Sequence, residues 1–350
     1  MRGMIFKGNR TVEVAHFSDP VPGPGEAVIA MKASGMCGTD LHYFRNGMRE
    51  SLAMLGMADR MAPGDLIGGH EPCGVVVALG AGDDTGFRIG DRVIVFHYKG
   101  CSHCEQCRTG WTQLCDHGAR IYGVLDHGGH ADYMKVPVSS LIHLPQDMSF
   151  KAGAAVACGT GTAYGALLRL DISARDSLAI FGLGPVGLSA AQLASAMGVE
   201  VIGVDLNPER VAASRAFGVA HAIDASATDP VEEIHKLTHG KGVSCAIDCA
   251  GGAEALTQSV RSTKMWGRIA LVGVGNHMNL DPMKDLITRQ RTLIGSFTIS
   301  AVGMQNCAEF IARHGVDVDR LFTDEWDLAD AQTAYQAFDK QAGGKAVFIF

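Results

Sequence analysis

The spacing of apolar positions changes part-way along the chain. Up to about residue 150, short β-rich apolar runs at 27–31, 74–79, 91–96 and 132–136 are separated by glycine and proline clusters. Pro20-Val21-Pro22-Gly23-Pro24-Gly25 is a turn segment. This pattern predicts closely spaced strands forming a small barrel or sandwich. From about residue 175 the rhythm lengthens. Strand-like runs at 177–181, 199–205, 243–249, 268–274 and 292–297 alternate with helical stretches at 185–197, 208–217 and 253–265. Such alternation predicts a parallel sheet covered on both faces. Helices near 302–314 and 327–340 and a strand at 346–350 complete the chain. The expected class is α/β, a β-rich domain plus a doubly wound parallel sheet.

Composition narrows the functional classes. The 350 residues are about twice the usual domain length, so two domains are expected. With 47% apolar and 19% charged residues the chain is not disordered. A net charge of −7 and the lack of a long basic run argue against nucleic acid as a partner. No apolar stretch is long enough for a membrane span. Met1-Arg2-Gly3-Met4-Ile5-Phe6-Lys7 lacks the apolar core of a signal peptide, so a cytoplasmic location is expected. There, the ten cysteines read as metal ligands and free thiols.

Gly182-Leu183-Gly184-Pro185-Val186-Gly187 is a GxGxxG segment between a predicted strand and a predicted helix, the context in which the motif binds a dinucleotide. Gly182 permits the tight turn, Gly184 lets the backbone approach a pyrophosphate, and Gly187 lets helix pack on strand. Pro185 and Val186 open the helix whose N-terminus faces the phosphates. Asp205 follows Gly187 by 18 residues at the end of the second strand. An acid there accepts from both ribose hydroxyls of NAD and repels the extra phosphate of NADP. Leu206 is not the basic residue a phosphate reader needs, so NAD is the expected cofactor.

Cys101, Cys104, Cys107 and Cys115 form a C-x2-C-x2-C-x7-C pattern. Four thiolates in one loop close a tetrahedral shell around a structural zinc. A second set is dispersed. Cys37 opens Cys37-Gly38-Thr39-Asp40-Leu41-His42, His70 and Glu71 sit in Gly68-Gly69-His70-Glu71-Pro72, and Cys158 precedes Gly159-Thr160-Gly161. Spacing alone does not assemble these residues. Cys73, Cys245, Cys249 and Cys307 read as buried small hydrophobes.

Taken together, the CGTDxH segment, the Gly-His-Glu triplet, the four-cysteine loop, Gly128-Gly129-His130-Ala131-Asp132-Tyr133, the GxGxxG unit and the closing Gly-Lys-Ala-Val resemble the zinc-dependent medium-chain alcohol dehydrogenases over almost the whole chain. The resemblance implies a GroES-like catalytic domain at 1–155 and 293–350, with a Rossmann NAD-binding domain at 156–292. It implies two zinc ions per subunit. Cys37, His70 and Cys158 match the catalytic ligands. Glu71 matches the nearby acid that approaches the metal or replaces a ligand in some members. Asp40 matches the carboxylate that orients the zinc-bound histidine, Thr39 the hydroxyl that takes the substrate proton, and His42 the outer end of that relay. Lys345 is expected to reach the cofactor phosphates, and His97 and His130 to line the substrate pocket. The resemblance also implies a homotetramer.

The CGTDLHYF stretch resembles polyol dehydrogenases of the sorbitol and idonate type, so a sugar alcohol or other polyol is the favoured substrate. Those enzymes often use glutamate where this chain has Cys158. That departure points to simple alcohols, or an amino-alcohol such as threonine, as the alternative. A non-catalytic NAD- or zinc-binding protein of the same fold predicts loss of a ligand or relay residue, and none is lost. Residues 45–69 lengthen the Cys37–His70 interval beyond the family's usual spacing and are expected to form a lid, an oligomer contact or a surface loop.

Overall fold

Asn9 and Arg10 both take positive φ angles, reversing the chain between strands Arg2–Gly8 and Thr11–His16, which pair antiparallel. This hairpin opens the first of two compact units in a computed structural model that describes residues 1–54, 56–81, 86–275, 277–341 and 343–350. The first unit comprises Met1–Cys158, Ser300–Arg313 and Asp319–Phe350; the second comprises Gly159–Ile299 and His314–Val318.

The first unit is built on a seven-stranded sheet. Its order is Phe322–Trp326, Lys345–Ile349, Glu26–Gly35, Pro72–Leu79, Arg92–Val95 and Leu141–His143, with Tyr133–Pro137 also pairing with Glu26–Gly35. The long strand Glu26–Gly35 alternates apolar side chains into a core that holds Ile29, Met31, Val76, Val93 and Val136. The tail belongs here because Lys345–Ile349 pairs antiparallel with Glu26–Gly35, placing Val347 opposite Gly35. That register sets residue 345 beside the start of the Cys37 segment.

The second unit has six parallel strands in the order His221–Asp224, Glu200–Asp205, Ser177–Phe181, Val243–Asp248, Thr263–Leu271, Thr292–Gly295. The order reverses direction at Ser177–Phe181, the arrangement of a doubly wound dinucleotide fold. The buried, β-branched strands match a sheet covered on both faces. Two of the boundaries that differ from expectation have a cause in strand pairing. Thr292–Gly295 hydrogen-bonds to Thr263–Leu271, so the chain stays in this unit through Ile299 instead of leaving at 292. The helix expected at 253–265 ends at Arg261, because Thr263 already pairs with Val243.

The 45–69 segment is largely packed. Met48 and Leu52, on helix Met48–Met54, are buried, and Met57 and Met61 lie against the same core. Arg60 donates to the Ala119 carbonyl, and its own carbonyl accepts from Arg120 at 2.6 Å. Residue 55 lies outside the described residues. No helix among the described residues is long and apolar enough to cross a membrane.

Candidate active site

Helix Gly38–Asn46 begins immediately after Cys37, and Asp40 starts it: its carboxylate accepts from the Cys37 backbone N–H at 2.9 Å. This cap fixes the Cys37 backbone and holds Asp40 inside, where it is fully buried. Asp40 Oδ1 lies 3.2 Å from His70 Nδ1. The charge of Asp40 favours a proton on Nδ1, which leaves Nε2 for a metal. Gly69 admits this turn: its φ is +89°, and a Cβ there would meet the His130 ring at 2.5 Å.

Cys37, His70, Glu71 and Cys158 have donor atoms that all lie within 4.8 Å of one another. Cys158 keeps its proton and donates it to the Cys37 sulfur, so Cys37 is pushed well below the usual thiol range while Cys158 is pushed well above it. Burial opposes an imidazolium at His70, but Asp40 and Cys37 overcome it and raise its pKa well above the ordinary value. Two cysteine sulfurs, an oriented imidazole and a nearby carboxylate, all within 4.8 Å of one another, fit zinc in kind and number, the metal taking the place of the thiol protons.

Glu71 does not face the cluster alone. Its Oε2 is 2.5 Å from the Lys345 ammonium, which also donates to the Met36 carbonyl at 3.1 Å. Gly35 makes room for the carboxylate, since a Cβ there would fall 2.1 Å from Oε2. Burial pushes Glu71 up to about 8 against the opposing pull of Lys345. Lys345 is only 3% exposed. It is therefore part of the metal-site support and does not reach for cofactor phosphates, correcting the expectation from the chain's closing motif.

The two candidate pocket histidines separate. His130 is fully buried, with Nδ1 2.8 Å from the Ser34 hydroxyl and Nε2 2.7 Å from the Tyr335 hydroxyl. Both ring nitrogens are used, so His130 has nothing to offer a substrate; it belongs to the scaffold. Tyr335 goes on to donate to Asp40 at 3.3 Å, so a chain of hydrogen bonds runs from Ser34 to the carboxylate behind His70. Tyr335 and Ser34 carried no sequence signal beyond their place in amphipathic elements. His97 differs. Its ring centroid is 5.3 Å from that of His70, and its Nδ1 is buried without a hydrogen-bond partner. Burial lowers its pKa to about 3, so it is a neutral imidazole.

Thr39 Oγ1 is 3.8 Å from Cys37 Sγ, and both Thr39 and His42 are exposed, one turn apart on the same helix. In the loop 100–115, Sγ atoms of Cys101 and Cys107 are 4.0 Å apart, and those of Cys104 and Cys115 3.9 Å. These match the ~3.8 Å edge of a tetrahedron with ~2.3 Å zinc–sulfur bonds. The Cys104 and Cys101 backbone N–H groups donate to sulfurs of the set at 3.3 and 3.4 Å, a further support for thiolate. Of the remaining cysteines, Cys73, Cys245 and Cys307 are buried as expected and Cys249 is partly so.

In the second unit, each glycine of the GxGxxG turn has its own reason. Gly182 has φ +96°, and a Cβ at Gly187 would sit 1.9 Å from the Gly182 carbonyl oxygen. Gly184 is different: a Cβ there meets nothing within 4 Å, although its φ of −73° suits any residue. The chain itself does not need glycine there, and its absence of a side chain leaves the backbone open to a ligand. Pro185 opens helix Pro185–Ala196. Asp205 Oδ2 accepts from Leu183 N–H at 2.7 Å, holding the acid against the turn. These features fit a dinucleotide.

Residues 23–146 match the model of the alcohol dehydrogenase GroES-like domain, and residues 185–313 that of the zinc-binding dehydrogenase. The chain is 37% identical over 353 residues to an uncharacterized zinc-type alcohol dehydrogenase-like protein, YphC, of Escherichia coli K12, covering 100% of this chain and 99% of the relative. It belongs to the zinc-dependent medium-chain alcohol dehydrogenases. The sorbitol dehydrogenase of Bacillus subtilis is 29% identical over 344 residues, covering 96% and 93% of the two chains. The solved structure of the alcohol dehydrogenase TADH from Thermus sp. ATN1 superposes with a TM-score of 0.88 at 25% identity, covering 100% and 99%. The chain is thus an alcohol oxidoreductase of the zinc- and nicotinamide-dependent kind, with a GroES-like domain and a Rossmann domain.

Proposed function

We propose that this dehydrogenase oxidises a secondary alcohol reversibly with NAD, and that its substrate is a polyol. The observation that carries the substrate class is His97. A neutral, buried imidazole beside His70, with an unpartnered Nδ1, costs stability unless a ligand hydroxyl satisfies it. A simple alcohol has one hydroxyl, which the metal occupies; a polyol has a second for His97.

When bound, zinc supplies positive charge that favours loss of the hydroxyl proton, and the dinucleotide supplies the hydride acceptor. Cys37, His70 and Cys158 hold the metal, Asp40 fixes the His70 tautomer, and Glu71 waits beside the shell on Lys345. Thr39 takes the substrate proton, and His42, exposed one turn further along the helix, releases it to solvent. The four-cysteine loop holds a second, structural zinc. Asp205 reads the ribose and selects NAD.

The second reading is a simple alcohol, favoured by Cys158 in place of the glutamate common in polyol enzymes. NADH formation by zinc-replete protein, followed by absorbance over four- to six-carbon polyols, ethanol, 2-propanol and threonine, separates them. A polyol turned over far faster than ethanol or 2-propanol, with KM raised in His97→Phe for that polyol alone, is the expected result. Preference for simple alcohols, unchanged in His97→Phe, would sink the polyol reading.

A further inference from the structure

The N-terminal edge of the six-stranded sheet carries a cavity of about 320 Å³ that the dehydrogenase chemistry does not use. Lys241 lies just before strand Val243–Asp248, Arg261 just before Thr263–Leu271, and Arg291 just before Thr292–Gly295. Lys284 and Arg289 close the cavity from the helical turns between the last two strands. All six strands are parallel, so this edge is opposite the Gly182–Gly187 turn and Asp205, which follow strand C-termini. The cavity is not part of the dinucleotide site.

Its charge balance is one-sided. Five cationic side chains face one carboxylate, Asp285, and that carboxylate is already held by the Arg261 guanidinium at 3.1 and 3.2 Å. Lys284 has Asp281 at 3.7 Å. Lys241 and Arg289 have no ion-paired carboxylate among the described residues, and Arg291 shares Asp285 with Arg261. Arg291 is half-buried and spends its terminal nitrogens on the neutral carbonyls of Asp285, Arg261 and Thr263, and its Nε is buried without a partner. Burial and the adjacent Arg289 press its pKa down, against a partial opposing pull from Asp285. An excess of positive charge kept in a concave site of a chain with net charge −7 concentrates anions there. The Lys241 and Lys284 ammonium groups and the Arg289 guanidinium line one hollow and match in kind the tetrahedral oxygens of a phosphoryl group.

We propose that this cavity is a binding site for a phosphorylated small molecule, separate from the cofactor site. The volume is at the lower end of ligand pockets, enough for a phosphoryl group and a short carrier.

The test is calorimetric titration of NADH-saturated holoenzyme with pyrophosphate, inorganic phosphate and a sugar phosphate at constant ionic strength. Saturable binding of at least one, weakened about tenfold or more in Lys241→Ala/Arg289→Ala, is expected. Both substituted side chains are exposed, so the double variant keeps its fold, which its melting temperature checks. Tighter binding of the sugar phosphate than of phosphate would identify an esterified ligand; equal binding would identify free phosphate. Heats reproduced by sodium chloride, or affinities unchanged in the double variant, would overturn the site.

Discussion

The Lys345 ammonium lies 2.5 Å from Glu71 Oε2 with both side chains removed from solvent, joining the C-terminal strand to the segment that carries His70. Two ions taken out of water hold together only while both are present. Lys345→Met leaves a carboxylate buried beside two cysteines. It is expected to destabilise the protein by about 3–5 kcal/mol, and the double change with Glu71→Gln to recover most of that loss. Urea unfolding of the single and double variants, with zinc analysis of each, checks the pair. Equal midpoints for Lys345→Met and the parent would show that the contact does nothing.

The hydrogen-bond chain Ser34–His130–Tyr335–Asp40 makes a different prediction. Tyr335→Phe removes the partner of His130 Nε2 and one donor to Asp40. Leaving a buried imidazole nitrogen unpaired costs about 1–3 kcal/mol. Because His130 does not face substrate, substrate KM should stay nearly constant while melting temperature falls. A KM change without a stability change would return His130 to the pocket.

Gly184 separates a structural glycine from a ligand-bearing one. Gly184→Ala meets no atom of the chain and keeps an allowed backbone, so stability should change by no more than about 1 kcal/mol, the N-cap difference. Cofactor affinity should fall sharply, read by NADH fluorescence. Gly187→Ala, whose Cβ would strike the Gly182 carbonyl oxygen, should instead lower the melting temperature. An unchanged NADH affinity in Gly184→Ala would move the pyrophosphate elsewhere.

Asp248, at the end of its strand, is fully buried, and burial raises its pKa to about 6 despite N–H groups donated by Ala250 and Gly251. A raised folded-state value means the folded protein binds the proton more tightly than the unfolded chain. Its stabilising contribution is full below about pH 4 and is lost as pH rises through 6. The swing amounts to about 2–3 kcal/mol. Asp248→Asn should flatten that part of the stability profile, leaving the variant relatively more stable at pH 7 than at pH 4. Parallel parent and variant profiles in denaturant unfolding would exclude the effect.

Legibility tracked distance along the chain. The GxGxxG turn and the four-cysteine loop are local strings whose spacing implies their geometry, and both read directly. The dispersed cluster of Cys37, His70, Glu71 and Cys158 did not follow from spacing; it followed from the likeness of several motifs to one family. His130 was misplaced because its partners Ser34 and Tyr335 stand 96 and 205 residues away. Lys345 was misplaced for the same reason, since a lysine near a chain end carries no sign of the carboxylate it meets. The helix expected to reach 265 stopped at Arg261 because strand pairing with Val243 outweighed local helical preference.

The sequence by itself determined the local chemistry: alternating strands and helices, a phosphate-binding turn, a thiolate loop, an acid at a strand end. These depend on periodicity and on contacts within a few residues. Only the tertiary structure decided which polar side chains are spent and which remain free. Strand register set Lys345 against Glu71 and turned His130 inward, while His97 kept an unpaired nitrogen and the far edge of the parallel sheet gathered five cations around one carboxylate. A hydrogen bond or ion pair formed across hundreds of residues is fixed by packing, and no local pattern records it.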